Sequence, residues 1–597
     1  MADREKGGGE QVKPQSAQRA AWALFAIVFT SGGVLMGMEM AGSRILAPSF
    51  GTGIFVWGAL IGLFMGAMAL GYYVGGKLAD RYPSFPVLAT IVSLAGVYIY
   101  MIPHIGHPLC ESIGRSVTDQ MAGPLIAATL LFFVPSFLMA MVSPYAVKLN
   151  ATTLSGVGGV AGTLYALSTF GSIVGTLLTT FVLIPKLWVS NVLQGLGLTL
   201  VLVAILTLVL FRSAVSRVTR DDRNGAALMA VIALGLIEMW ALFPVQPQVA
   251  DGERLLFYEE SCYHDIAVTE VVYGSVPSQL SPPDGRCLLR PDDVSRWMKF
   301  NENRESGIFP YGEYLNAVRY TNVVHLAALW VPDPKSMLVV GGGGGVVPVQ
   351  FRKFYGKTLE KVDVLELDPA VEEAARKYFQ IHDDAIRFII GDARMNLKRN
   401  KETYDLILLD AYSSGGQIPF HLLTYEFLAD VKAHLTGRGV LVTNIIAAVE
   451  NENPPKMRPA DLFYAEFKTL TQAHPRDPVN CPALYDPQQI YIFPRTDKGV
   501  ELRNRETDNR NIIVFATRDT KRKSRNDLLS LAQVFVQKRE RNEFVEREVF
   551  LWHAENVYTD GPTDAQLAEV PVLTDHYAPV DTMYRPVKYD ELIWRYR

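Results

Sequence analysis

Hydrophobic and polar positions along the 597-residue chain change pattern near residue 245. Before that point, long apolar blocks are separated by short polar loops. A helix needs about 20 predominantly apolar residues to cross the hydrocarbon of a bilayer. Seven blocks meet that requirement: roughly 20–40, 54–76, 86–103, 123–142, 160–184, 188–211 and 225–244. The first is too long, and is followed by too much further apolar sequence, to be a cleaved signal peptide. Several are rich in small residues, as in GTLYALSTFGSIVGT (162–176). Small residues let helices approach closely in lipid. The pattern predicts an N-terminal all-α transmembrane bundle of about seven helices over 20–245, after a cytoplasmic tail over 1–19.

From residue 335 short apolar runs alternate with helical spacing. SMLVVG (336–341), VDVLELD (362–368), IRFIIGD (386–392), YDLILLD (404–410) and GVLVTNII (439–446) read as strands. PAVEEAARKYF (369–379), ARMNLKRN (393–400) and LLTYEFLADVKAHL (422–435) read as helices, with Pro369 suited to a first helical turn. Continuous apolar strands alternating with helices predict a parallel, doubly wound α/β sheet of Rossmann-like order. Ligands of such sheets sit beyond the carboxyl ends of the strands, so the residues there are the candidates for chemistry.

Five glycines, Gly341 to Gly345, follow the first of these strands. They permit a tight turn and a close approach of a ligand to the backbone, most directly at Gly341, Gly343 and Gly345. No Lys-Ser or Lys-Thr follows, which excludes a Walker loop. Glu366 ends the second strand, where a carboxylate accepts the hydroxyls of a ribose. Asp392, followed by Ala393, ends the third and can accept from an adenine amino group. Asp410 ends the fourth. Four such features at consecutive strand ends predict a nucleoside-bearing ligand. The order of elements suits an S-adenosylmethionine-type ligand, and hence a class I methyltransferase-type domain, better than NAD.

Composition changes this picture little. A net charge of −4 gives no reason to expect nucleic acid. The four cysteines, Cys110, Cys262, Cys287 and Cys481, lack metal-ligand spacing, and no metal is expected. A Cys262–Cys287 bridge requires an oxidising compartment. Glu39 lies near the end of the first span with Arg44 close behind. The structural reading of these two is an ion pair at the interface.

The motifs GGGGG, VLELDPAV, GDAR and LLDAYSS…PFHLLTYEFLADVKAHLTGRGVLVTN resemble the spermidine synthase (polyamine aminopropyltransferase) family. The resemblance is to its bacterial branch fused to an N-terminal multi-pass membrane domain. ESCYHDIAVTE (260–270) resembles that family's N-terminal β-hairpin region, RYTNVVHL (319–326) its Tyr-x-Glu segment, and LTDHYAPVDTM (573–583) the fused branch's closing motif. EMAGSRILAPSFG and GYYVGGKLADR fit the same branch. The implied organisation is a small β-rich part over 250–330, a nucleoside-binding core over 335–446, and a remainder over 447–597 that matches least.

The resemblance implies an aminopropyltransferase that uses decarboxylated S-adenosylmethionine as co-substrate and an amine such as putrescine as acceptor. It assigns Asp410 as the catalytic base, Glu366 as the ribose ligand, and Asp392 with Ala393 as the adenine site. Tyr320, Glu305 and Tyr412 fall to the amine site, Glu305 standing where the family has Gln-Ser. The chain departs from the family at three acids: Gly344, Asn322 and Ser413 replace them. Asp292, Asp293 and Asp575 are candidates to compensate.

Two other functions compete. One is an S-adenosylmethionine-dependent methyltransferase. The other is a transporter or sensor that binds polyamine without catalysis. The expected partners are a small-molecule amine and the lipid bilayer, with homo-oligomers as in soluble relatives. The expected location is the bacterial inner membrane. Basic residues put the N-terminus in the cytoplasm, and seven spans would then put the soluble part outside. The cytosolic origin of sulfonium nucleosides argues for the cytoplasmic side instead.

Overall fold

The computed structural model describes residues 14–50, 53–117, 121–150, 157–212, 252–261, 263–272, 294–301, 303–311, 317–318, 320–412, 418–449, 460–494, 510–519, 521–538, 547–558 and 561–583. The chain divides into two compact units, Met1–Pro247 and Gln248–Arg597.

The first unit is helical. Its helices are α1 (Pro14–Phe50), α2 (Ile54–Arg81), α3 (Phe85–Ser116), α4 (Ala122–Ala140), α5 (Val142–Asn150), α6 (Val157–Leu178) and α7 (Val189–Arg212). A π-helical turn, Thr179–Leu183, continues α6. These elements supply six helical stretches long and apolar enough to cross a membrane, of 20 to 30 residues each, with α4 and α5 forming one of them. The seventh expected span, 225–244, lies outside the described residues, as do Cys262 and Cys287. Glycines set the closest approaches: a Cβ on Gly175 of α6 would lie 2.1 Å from the carbonyl oxygen of Gly33 on α1, and one on Gly197 of α7 would lie 2.4 Å from that of Gly96 on α3. The small residues of α6 therefore let α1 and α6 approach closely. Large apolar side chains such as Met65, Phe170 and Phe181 stay exposed on the outer faces, as expected where the solvent is hydrocarbon.

The second unit opens with a four-stranded antiparallel sheet in the order β1 (Glu253–Glu260), β2 (Asp265–Val272), β3 (Val294–Phe300), β4 (Asn303–Ile308). The expected hairpin region is thus twice the size of a hairpin. Glu253, buried between strands, accepts hydrogen bonds from Lys299 and Arg304. Burial raises its pKa, but the two cations outweigh that and hold it below the ordinary carboxylate value.

A seven-stranded sheet follows. Its order is β10 (Ile490–Phe493), β11 (Arg510–Ala516), β9 (Leu435–Ala447), β8 (Tyr404–Leu409), β5 (Ser336–Val340), β6 (Lys361–Glu366), β7 (Ile386–Ile390). Strands β5 to β9 run parallel, and β11 pairs antiparallel with β9. Strand order reverses between β5 and β8, which makes their carboxyl ends the switch point of a doubly wound sheet. The class I methyltransferase-type fold is therefore present. Helices α8 (Tyr320–Val324), α9 (Val346–Tyr355), α10 (Pro369–Tyr378), α11 (Ala393–Arg399), α12 (Tyr425–Ala433) and α13 (Asp461–Thr471) accompany it. Apolar side chains bury both faces of the sheet, with Val339, Val364 and Leu408 on one and Val340, Leu365 and Leu409 on the other.

One charged residue inside this sheet carries a stability prediction. Asp363 of β6 is fully buried and accepts hydrogen bonds from Arg387 (2.9 Å) and Tyr404 (2.8 Å), with Lys361 at 2.9 Å. Burial alone would raise its pKa, but these partners lower it below the ordinary value. A depressed folded-state pKa contributes stability above the unfolded pKa, and that stability is lost as pH falls through the folded value. Asp363→Asn leaves Arg387 and Lys361 in reach of water but weakens the acceptor of the buried Tyr404. We expect a loss of about 1–3 kcal/mol at pH 7. Hydrogen exchange of the β6 and β7 amides in the full chain should show it, and the difference from the unsubstituted chain should shrink below about pH 4.

Candidate active site

Of the five glycines after β5, positive φ falls at Gly341 (98°), Gly343 (46°) and Gly345 (66°), the three singled out from sequence. A Cβ on Gly341 would also lie 2.3 Å from the carbonyl oxygen of Asp410. Only glycine fits that crossing of the β5 and β8 strand ends. Gly345 ends the turn in the left-handed region and starts α9.

Glu366 braces this turn. Its Oε2 accepts the Gly342 N–H (2.8 Å) and its Oε1 the Asp368 N–H (2.9 Å). Burial raises its pKa against the pull of these backbone donors. Asp368 caps α10 through the Ala370 N–H (3.0 Å) and also takes the Ser261 hydroxyl, which ties the residue after β1 to the start of α10.

Asp392 caps α11 through the Met395 N–H (2.8 Å), and its other oxygen lies 3.2 Å from Nε2 of His421. Ala393 follows it, buried, as the first residue of the helix. Asp575 in the C-terminal LTDHYAPVD motif is paired with Arg394 and accepts from Thr424 (2.8 Å). The hydrogen bond from Arg394 holds Asp575 below the ordinary carboxylate value. It is therefore committed to Arg394 of α11 and to Thr424, at the start of α12. Asp292, Asp293 and Ser413 lie outside the described residues.

Asp410 is held by two side chains. Its Oδ2 accepts from the Tyr320 hydroxyl (2.7 Å) and its Oδ1 from the Asn444 amide (2.8 Å). Its backbone N–H reaches Val340 of β5 (2.9 Å). Burial raises its pKa, and the two donors oppose that rise. Glu305 of β4 is the second acid here. Burial, and then the charge of Asp410, push its carboxyl up to about 8. Tyr320 is driven far above its ordinary value by burial and by Asp410, so it stays a neutral donor. Tyr412 donates to the carbonyl of Asn444 (2.5 Å) and accepts the Ile446 N–H (2.9 Å). The structure thus groups Asp410 with Tyr320, Glu305 and Tyr412.

Sequence reading missed Asn444 and Ser306. Asn444 is the polar residue that interrupts the apolar run of β9, which is its one sequence signal. The Ser306 hydroxyl accepts the Gly344 N–H (2.8 Å) and carries no such signal. A Cβ on Gly344 would lie 2.9 Å from both Phe379 and Ser306, so these neighbours occupy the space an acid would need. Asn322 sits in the short helix α8, in the first turn after Tyr320.

Residues 318–452 match the family model described as the spermine/spermidine synthase domain. Over 202 residues the chain is 34% identical to a polyamine aminopropyltransferase of Vibrio vulnificus, covering 32% of this chain and 60% of that protein. Over 213 residues it is 29% identical to putrescine N-methyltransferase 2 of Nicotiana tabacum, covering 34% of this chain and 52% of that one. The chain therefore spans less than two thirds of the length of each of these relatives. A solved spermidine synthase in complex with the transition-state analogue AdoDATO aligns over 53% of this chain and 88% of its own, at 16% identity and a TM-score of 0.33. The match to this family model runs from just before Tyr320, through the glycine turn and all the strand-end acids, to just past Asn444.

Proposed function

We propose that this protein is a membrane-bound transferase that moves the aminopropyl group of decarboxylated S-adenosylmethionine onto an amine. The observation that carries the reading is Asp410, buried at the switch point, fixed by Tyr320 and Asn444, with the Glu305 carboxyl in its field. The family match over the same residues supports it.

In this reading Glu366 accepts the ribose hydroxyls, and Asp392 with Ala393 receives the adenine. Gly341, Gly343 and Gly345 let the nucleoside approach the backbone. Tyr320, Glu305 and Tyr412 line the amine. The acceptor nitrogen must be neutral to react, so its ammonium proton passes to Asp410 and on to solvent. The nitrogen lone pair then forms a bond to the aminopropyl carbon attached to sulfur. The carbon–sulfur bond breaks, its electrons stay on sulfur, and methylthioadenosine leaves. Because a sulfonium is already a good leaving group, holding nitrogen, carbon and sulfur in line does much of the work. The domain works on the cytosolic side, where its sulfonium donor is made.

A second reading is methyl transfer from S-adenosylmethionine to an amine. The similarity to a putrescine N-methyltransferase favours it. The same base and the same turn would serve, but the bond broken joins sulfur to methyl and the product is S-adenosylhomocysteine.

Full-length protein in detergent should release methylthioadenosine from decarboxylated S-adenosylmethionine and putrescine, as followed by liquid chromatography. Release of S-adenosylhomocysteine from S-adenosylmethionine instead establishes the second reading. Asp410→Asn should lower kcat/KM by about 10²–10⁴. Unchanged turnover in that variant refutes the assignment of the base.

Glu305 makes the site pH-sensitive. Its folded value of about 8 exceeds the unfolded value of 4.5. Its contribution to stability is thus full below pH 4.5 and is lost as pH rises toward 8. Glu305→Gln should flatten the fall in thermal midpoint between those limits. At pH 7 a bound cation should displace this proton. Calorimetry of putrescine binding in two buffers of different ionisation heat should show about one more proton released by the unsubstituted chain than by Glu305→Gln. Equal release by both would contradict this account.

A further inference from the structure

Among the described residues of the helical unit, one buried carboxyl has no side-chain partner. Glu39 lies on α1, inside the apolar stretch Ala21–Ala47, and is 8% exposed. The expected ion pair with Arg44 is not formed, and no other hydrogen bond or ion pair reaches Glu39 among the described residues. An ionisable side chain this deep in a membrane helix is costly unless something bound there meets it.

The neighbour across from Glu39 can be read from two contacts. A Cβ on Gly123 of α4 would lie 2.9 Å from the ring of Phe50, and one on Gly42 of α1 would lie 3.1 Å from the ring of Phe132. The helices α1 and α4 therefore run antiparallel, Phe50 beside Gly123 and Gly42 beside Phe132. One turn further, about 5.4 Å along each axis, α1 presents Met38 and Glu39 and α4 presents Ser136. Ser136 is fully buried and its hydroxyl has no hydrogen-bond partner. Two turns further down α1, Ser31 is likewise buried with an unpartnered hydroxyl. A buried hydroxyl without a partner carries a desolvation cost that folded chains seldom leave standing.

The helices are also interrupted around this level. Pro135 precedes Ser136 and removes one backbone donor from α4. Helix α4 stops at Ala140 and α5 begins at Val142, with Pro144 in its first turn. Helix α6 passes into the π turn at Thr179, whose hydroxyl would lie 2.8 Å from a Cβ on Gly37. Interrupted membrane helices beside a buried charge are where membrane proteins place solute sites.

The groups at this level of the seam are the carboxyl of Glu39 and the hydroxyl of Ser136, while Ser31 lies about 12 Å further along α1. An ammonium matches them, because it brings a positive charge and several N–H donors. An anion would be repelled by Glu39, and a bare proton would neutralise the carboxyl yet leave Ser136 unpartnered. We propose that the membrane unit binds a protonated amine at Glu39, between α1 and α4. This site is separate from the one at Asp410 and stands without it.

The test uses the full chain in lipid nanodiscs and butylammonium as the probe. Dicyclohexylcarbodiimide, which enters hydrocarbon and modifies carboxyls, should label Glu39, as read by peptide mass spectrometry. Butylammonium should slow that labelling at least fivefold, and sodium at equal ionic strength should not. Labelling that is indifferent to butylammonium, or slowed equally by sodium, overturns the proposal. Because this readout uses the unsubstituted chain, it does not depend on a variant folding. With Asp410→Asn in place to weaken the soluble site, radiolabelled butylamine should still bind. Adding Glu39→Gln should weaken that binding at least tenfold and Ser136→Ala severalfold. Binding unchanged by Glu39→Gln overturns it as well. Protection that survives Asp410→Asn, whatever that variant does to transfer, keeps the two sites distinguishable.

Discussion

The two hydrogen bonds that Glu366 accepts from the amides of Gly342 and Asp368 are the constraint on which the strand-end site depends. A turn with three positive-φ glycines has little stiffness of its own. Glu366 anchors that turn to β6 from one side, and its backbone carbonyl takes the Gly391 N–H (2.8 Å) on the other. One residue thereby sets the relative positions of the loops after β5, β6 and β7. The Asp368 amide it holds starts α10, and Asp368 in turn binds Ser261 of the small sheet. Moving Glu366 would move the loops after β5, β6 and β7 as a unit.

The parts of this fold that were legible in the sequence are those with local periodicity. The parallel strands are short apolar runs, and the strand-end acids stand directly after them. Glycine turn, Glu366, Asp392 and Asp410 followed from that arrangement, together with the rule that ligands gather at the switch point. Strands β10 and β11 were not legible. Each is a brief apolar run in a charged region, and β11 finds its place only through long-range pairing with β9. The extra strands of the N-terminal sheet escaped for the same reason. Asn444 and Ser306 act through contacts made by folding, to Asp410 and to Gly344, and spacing along the chain does not encode those contacts. The committed role of Asp575 was equally hidden, because its partner Arg394 lies far away in sequence.

The position of Gly344 shows how a departure from a family pattern is absorbed. Phe379, buried at the end of α10, and Ser306 of β4 fill the space where a larger side chain would project. Ser306 also satisfies the Gly344 amide, so the backbone there is not left wanting an acceptor. The acid absent from this turn has a counterpart next in sequence to Ser306, where Glu305 occupies a position that the resemblance gives to glutamine. Burial and the charge of Asp410 make the Glu305 carboxyl hold its proton more tightly than an ordinary one, so β4 presents a largely neutral acid at pH 7 that a nearby cation would ionise.

The buried acids of the soluble unit can be ordered by the donors that meet them. Asp363, with an arginine, a lysine and a tyrosine, is pulled below its ordinary value. Glu366, met by backbone amides, and Asp410, met by Tyr320 and Asn444, are raised because burial outweighs neutral donors. Glu466 of α13, with a single hydroxyl from Thr443, is pushed up to about 7. Glu305, for which no donor offsets burial and the charge of Asp410, reaches about 8. The ordering follows from the competition between desolvation and hydrogen bonding to the charged form. It separates acids that brace the fold from acids whose charge is still free to respond. Asp410 and Glu305 belong to the second kind and are grouped with Tyr320. Two neighbouring buried acids with only neutral donors beside them leave negative charge unmet, so a cation placed there would be favoured.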